Sequence, residues 1–360
     1  MASCTSRVRA PSLAAVLLLA AGAAAAQQAP STVFRASALE VSIGGRVQTQ
    51  LNTTTVDSVP TAELALRRVR LEANVRVNEV VSAKIQPEFA GSRVSLRDAY
   101  VLFGFHPALQ LLAGQANRPF GIIQPTSSTR IIPVERGVRI RGVRNALDEH
   151  NLVTDLGYAD RDVGLQLLGA PAGAPLGLSY ALGVFNGPAR AAVPELDSYQ
   201  LAARAAVRPA ERLRTGLSWS RRDFLVVAPT DGRELAAGQA WAVDVEYGTY
   251  GPGLHLVGEA AFGDVNPRAD IDFTGAQAWL AYRTRAFGPS LTHLEPLFRV
   301  SYGDVDAPPG LTVPRGGTLL TPGINLYFGP LNRIMLNYDV WMPEQGDAVG
   351  SFKAQFQVAF

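Results

Sequence analysis

The chain has 360 residues, with 33 basic and 31 acidic side chains, 47% hydrophobic residues and one cysteine. A charge balance this close to zero excludes nucleic-acid binding by bulk charge, and a single Cys4 excludes a disulfide framework or a cysteine-based metal site. Past the first 26 residues no apolar run is long enough for a membrane helix, which leaves a secreted soluble protein or a barrel that hides its hydrophobicity by alternation.

In chain order, Arg7 and Arg9, the apolar run 13–21 and Ala24-Ala25-Ala26 form a secretory signal peptide, 1–26, with the mature start near Gln27. Its removal takes Cys4 and two arginines, leaving 31 basic and 31 acidic residues. Residues 27–39 read as an N-terminal periplasmic extension. From residue 40 the chain alternates. Val41, Ile43, Val47 and Leu51 alternate with Ser42, Arg46, Gln48 and Gln50. Val69, Leu71, Ala73, Val75 and Val77 alternate with Arg70, Glu72, Asn74 and Arg76. Successive side chains of a strand point to opposite faces, so each segment has an apolar side and a polar side. The pattern returns at 241–247 and 334–342. It ends at 352–360, where Phe352, Ala354, Phe356, Val358 and Phe360 share one face.

Sixteen segments carry it, near 40–52, 64–78, 80–90, 93–104, 108–116, 161–170, 176–187, 197–209, 211–222, 238–250, 253–263, 275–285, 293–303, 317–329, 331–342 and 350–360. Most approach the roughly 9–11 residues that cross a bilayer, and none has a helical stripe. The expected fold is all-β: a transmembrane antiparallel β-barrel over 40–360, of about 16 strands with 18 as the alternative count. Short connections (Glu79, 104–107, Pro209-Ala210, Gly251-Pro252, Pro330) alternate with longer ones, as periplasmic turns alternate with outer loops. The connection at Gly91-Ser92 is unexpectedly tight for an outer one. The four tryptophans, Trp219, Trp241, Trp279 and Trp341, read as interfacial girdles.

Charge fixes the polar face. An arginine facing lipid near the midplane costs about 2–4 kcal/mol, so Arg46, Arg68, Arg70, Arg76 and Lys84 must line a watery lumen. Asp98 breaks the alternation, which calls for a bulge or for local cover by protein. The connection 117–160 is the longest. It carries Arg118, Arg130, Arg136, Arg139, Arg141 and Arg144 against Glu135, with Ile122, Ile123, Ile131 and Ile132 that need burial. It is expected to fold inward and constrict the pore. Converging arginines favour anions; the alternative is that they pair with lumenal acids such as Glu72, Glu88, Asp244, Glu246 and Glu259.

Val94-Ser95-Leu96-Arg97-Asp98-Ala99-Tyr100, Gly114-Gln115, Pro119-Phe120-Gly121, Thr126-Ser127-Ser128, Val134-Glu135-Arg136, Asp162-Val163-Gly164 and 180–187 together resemble the phosphate-selective porin O and P family. The resemblance implies a sixteen-stranded homotrimeric porin with inward loops and an arginine- and lysine-lined path for phosphate. Lys84 and Lys353 are the only lysines, so the family's lysine cluster is missing.

The function expected is passive diffusion of small hydrophilic solutes, anionic or neutral, through the outer membrane of a Gram-negative bacterium. Outer-membrane lipids and lipopolysaccharide are the surroundings. Phe352, Phe356, Val358 and Phe360 are the expected signal for the barrel-assembly machinery. The rivals are a non-conducting receptor or adhesin barrel and an outer-membrane hydrolase. His106, His150, His255 and His293 begin no nucleophile arrangement, so no enzyme is expected. No cofactor motif or metal-ligand spacing is present, and the acids Asp264, Asp270, Asp272, Asp304 and Asp306 read as solvated loop residues.

Overall fold

A computed structural model describes residues 32–36, 39–56, 59–192, 197–227, 233–308 and 316–360. The expected signal peptide lies outside the described residues. A short strand β1 (Thr32–Ala36) precedes sixteen long ones: β2 (Leu39–Val56), β3 (Val59–Arg76), β4 (Val81–Glu88), β5 (Ser95–His106), β6 (Leu109–Asn117), β7 (Arg161–Gly169), β8 (Ser179–Phe185), β9 (Gln200–Ala210), β10 (Leu213–Val227), β11 (Arg233–Tyr247), β12 (Gly253–Asn266), β13 (Ile271–Arg283), β14 (His293–Asp306), β15 (Gly317–Tyr327), β16 (Arg333–Pro343) and β17 (Val349–Ala359). Each pairs antiparallel with the next, and β17 closes the ring on β2 from Ser351↔Thr54 to Ala359↔Arg46. The result is the closed sixteen-stranded barrel that the alternation predicts. Full closure leaves no exposed edge in the hydrocarbon layer, where an unpaired backbone group would cost several kcal/mol.

Strand β13 shows the pleat clearly. Phe273, Gln277, Trp279 and Arg283 point inward and are buried, while Leu280 and Tyr282 point outward and are exposed. Around the ring Leu71, Val101, Leu182, Val243 and Phe298 join them in an exposed apolar belt. A water-facing protein does not present apolar surface on this scale; a barrel in lipid must.

Two of the register shifts in the sheet bear on the lining of the lumen. Gln48 faces Arg68 but Thr49 faces Leu66, so Arg67 is an extra residue in β3. Gln86 faces Asp98 but Pro87 faces Leu96, so Arg97 is an extra residue in β5. Each bulge reverses which parity faces the lumen. Leu66 and Leu96 therefore stay in the lipid belt while Asp98 turns inward, which resolves the misfit at Asp98 in favour of a bulge. The carbonyls of Leu96 and Arg97 on either side of the second bulge accept from Gln115 Nε2 at 2.6 and 2.8 Å.

Two helices were not signalled by periodicity, α1 (Glu149–Asp155) and α2 (Gly187–Ala192), because two turns or fewer cannot show a stripe. The Asp148 side chain caps α1 by accepting from the N–H of Asn151 at 3.1 Å. The tight outer connection expected at Gly91-Ser92 spans 89–94, because β4 stops at Glu88 and β5 starts at Ser95.

The seam ends at Phe360, whose N–H donates to Gly45 O (3.1 Å) and whose carbonyl accepts from Gly45 N (2.8 Å). Below it on the same edge of β2, β1 pairs from Thr32↔Ile43 to Ala36↔Leu39. A Cβ on Gly45 would stand 2.7 Å from Arg70 O and from the Phe360 ring. Overpacking of that kind costs about 1–3 kcal/mol. Gly45→Val should therefore lower the temperature at which the folded barrel shifts to its unfolded mobility in a heat-modifiability gel.

Candidate functional site

The segment between β6 and β7 lies inside the barrel. Arg118 ties its two ends together, donating to the carbonyls of Gly157 (3.0 Å) and Ala159 (2.6 Å) and to Asp162 (3.0 Å). Ile122, Ile123, Ile131 and Ile132 pack on Val257, Trp279, Ala281 and Leu297. Val138 and Ile140 pack on Leu319 and Trp341. Phe120, Leu152, Val153 and Tyr158 fill a third cluster with Phe224, Phe273 and Val305. Burying the four isoleucines alone contributes on the order of 6–12 kcal/mol. Trp279 and Trp341 thus point inward as seats for this strap. Only Trp219 and Trp241, with ring centres 6.4 Å apart, lie on the outer face as the girdle reading expects.

Backbone polarity is satisfied along the same wall. Arg333 donates to the carbonyls of Thr129 (3.1 Å) and Ile131 (2.7 Å), Asn325 to Ile132 O (3.0 Å) and Arg299 to Glu135 O (2.8 Å). Asn337 Oδ1 accepts from the N–H of Val134 at 2.6 Å. The tip then crosses to the seam: Arg46 donates to Ser127 Oγ (3.0 Å) and Ser128 Oγ (2.9 Å), and Gln48 to Ser128 O (3.0 Å). The strap is bound to β12–β17 and bridges to β2, so the open part of the lumen faces β2–β5.

That open part is a cavity of about 1100 Å³. It extends from Asp160 and Arg161, where β7 begins, to Gly44, Gly45 and Phe360, where the chain ends against β2. Ten basic side chains line it against four acidic ones. Arg46, Arg67, Arg68, Arg70, Lys84 and Arg97 come from the wall, Arg130, Arg136 and Arg139 from the strap, and Arg161 from β7. Some are neutralised in place. Glu88 holds Arg70 at 2.5 Å, Glu72 holds Lys84 at 3.1 Å and Arg46 at 3.4 Å, and Asp98 holds Arg161 at 2.6 Å. Arg97, Arg130 and Arg136 form no salt bridge among the described residues. Arg136 donates instead to the carbonyls of Ile123 (3.1 Å) and Thr126. Burial, with Arg161 and Arg70 nearby, lowers Arg136 to about 9, which leaves it charged at neutral pH.

Glu135 is the counter-charge that joins strap to wall. It accepts from Arg67 Nε at 2.5 Å and Nη2 at 2.9 Å, with Arg68 at 3.5 Å. Burial would raise its pKa, but Arg67 and Arg68 overcome this and hold the carboxyl well below the usual range. Such a bidentate pair is geometrically specific as well as strong.

The other expected residues scatter. Arg76, Arg141 and Arg144 are exposed and line no part of this cavity. Arg118 is a strut, and with Arg130 it borders a second cavity of about 450 Å³ beside Arg204, Arg214, Glu246 and Tyr250. Lys353 is buried against Asp339, far from joining Lys84 in a cluster. Phe352, Phe356 and Val358 face outward on β17. His255 contacts Glu246 (3.1 Å), His293 contacts Thr284 O (2.9 Å) and His106 Nδ1 accepts from the N–H of Ala108 (3.1 Å), so these three serve strand ends. Alternation alone misses Arg67 and Arg97, which only a bulge brings inward. Arg161 was within reach, as the first residue of a strand whose neighbour Asp162 belongs to a family motif.

Residues 41–211 match the family model described as phosphate-selective porin O and P. No curated protein matches this sequence. Among solved structures the barrel is similar to OprB of Pseudomonas putida (11% identity, TM-score 0.63, 89% of this chain and 94% of that one). It is also similar to the anion-selective porin from Comamonas acidovorans (12%, TM-score 0.61, 89% and 100%). A third is OmpT of Vibrio cholerae in a trimer form (14%, TM-score 0.55, 90% and 100%).

Arg67→Ala would leave Glu135 buried without its main partner, a defect worth about 3–5 kcal/mol. A carboxyl held low stabilises the fold above its ordinary range and loses that contribution as pH falls through the lowered value. In Arg67→Ala, Glu135 becomes easier to protonate. The loss of thermal stability relative to wild type should therefore be large at pH 7 and smaller at about pH 4, as read by thermal melts in detergent.

Proposed function

We propose that this outer-membrane porin lets small hydrophilic solutes diffuse along the basic cavity, with a preference for anions, in the outer membrane of a Gram-negative bacterium and as a homotrimer. The observation that carries the reading is the charge of the lining. Ten basic groups face four acidic ones, and adding Glu88 and Glu135 behind the wall still leaves an excess of four. One unit charge at about 5 Å is worth just under about 1 kcal/mol in water and about 3 kcal/mol at an effective dielectric constant of 20. The three arginines without salt bridges thus support an anion preference of roughly tenfold. The passage of anions rests on this field, with phosphate one of the anions admitted. With Lys353 buried, no lysine cluster supports a tight phosphate station.

Wild type in planar bilayers should give a reversal potential of anion-selective sign in a salt gradient. Arg97→Gln with Arg136→Gln should lower the anion-to-cation permeability ratio roughly fivefold while leaving the barrel folded. A cation-selective wild type, or no change in the double variant, would reject the reading. Millimolar phosphate should reduce chloride current only gradually; a sharp block at micromolar phosphate would instead mean a dedicated site.

A further inference from the structure

Glu259, on the inner face of β12, receives the strap at two points. The N–H groups of Ile122 and Ile123 donate to its Oε2, the latter at 3.0 Å. From the other end of the strap Glu149, the first residue of α1, comes to the same carboxyl, with its own Oε1 buried and without a hydrogen-bond partner among the described residues. Both side chains are buried, Glu149 completely. Two glycines make room for them. Gly121 adopts φ +66°, and a Cβ there would strike the Glu259 carboxylate; a Cβ on Gly275 would lie 2.8 Å from Glu149 Cα.

Two carboxylates in contact without a cation cannot both be ionised. The charged groups around the pair do not supply one. Asp148 is bonded to Ser301 (2.9 Å), and Arg299, which acts on it, is engaged by Asp339 (3.0 Å). Asp244 of β11 is taken up by Arg204 of β9. Gln277 of β13 approaches Glu149 Oε2 at 3.4 Å, and Ser218 of β10 accepts from the N–H of Gly121 at 3.1 Å. His150, the next residue along α1, is half-buried at the edge of the large cavity; desolvation, with Arg136 and Arg299 nearby, holds it well below the usual range and so neutral. Burial, the Glu259 charge and Asp148 hold Glu149 well above the usual carboxyl range.

We propose that Glu259 is the positioning residue of the pore: a proton held between it and Glu149 fastens both ends of the strap to β12, and loss of that proton as pH rises loosens the strap at these two points. A carboxyl raised in the folded state stabilises that state fully below the ordinary range and ceases to do so as pH rises through the raised value. The lock is thus closed below that raised value. This rests on the porin reading only for its electrical readout.

The test follows single-channel conductance and permeability ratio from pH 6 to about 10, a span that contains documented buried-glutamate values. In parallel, hydrogen exchange of the strap amides 119–136, corrected for intrinsic pH dependence, is followed on the folded barrel. Wild type should hold both steady and then, in one alkaline window, gain conductance about twofold, lose selectivity and lose strap protection. Glu149→Gln keeps a donor for Glu259 and has no proton to lose, so it should stay flat throughout. Glu259→Gln, whose amide can donate to an ionised Glu149, should also lose the transition. Flat wild-type traces in both readouts, or variants with the wild-type transition, would overturn the lock. A barrel that carries no current at any pH would reject the porin reading, while the exchange measurement would still decide the lock.

Discussion

The lumen depends on one packing contact, the four strap isoleucines against Val257, Trp279, Ala281 and Leu297. A barrel wall facing water on the inside has no reason to place tryptophan and valine there. Strands β12–β16 do so because their inner face is a core, completed by residues from a loop. Once the strap is committed to that half, the polar path must run along the other half. The arginines of β2–β5 therefore line the passage because the apolar contact has filled the space opposite.

Electrostatics then follows from how that half is built. Glu135 on the strap and Arg67 on the wall meet at hydrogen-bond distance, so charge pairing holds the strap close to the wall that it must leave open. The carboxylates Glu72, Glu88 and Asp98 disperse part of the positive charge. Among the described residues the positive charge without a salt bridge lies on Arg97, from the wall, and on Arg130 and Arg136, from the strap. The buried pair Glu149–Glu259 belongs to the same logic on the far side, where no cation is available and a proton takes its place.

Much of this was legible in the sequence. Alternation sustained over sixteen segments gave the barrel because lipid and water punish a misplaced residue on either face. The isoleucines of the strap announced burial because nothing else in a long arginine-rich loop requires them. What stayed hidden has physical causes. A bulge is one residue long, so it appears only as a local misfit, visible at Asp98 because a carboxylate among leucines is costly and invisible at Arg67 because its neighbour is also arginine. Trp279 and Trp341 looked like girdle residues because alternation tells two faces apart without saying which is wet. The Glu149–Glu259 contact joins residues 110 positions apart and leaves no periodic trace.

The bulge at Arg67 has a wider consequence. In a strictly pleated strand the two faces share a fixed ration of positions, so adding a lumenal charge means exchanging a residue already assigned inward. An inserted residue loosens that bond between the faces. It supplies a second adjacent cation to the channel while the greasy side resumes its sequence one step later. Selectivity in such barrels can therefore drift by single-residue insertions at a tolerant spot, with the membrane-embedded exterior, and hence the insertion and anchoring of the protein, left as they were.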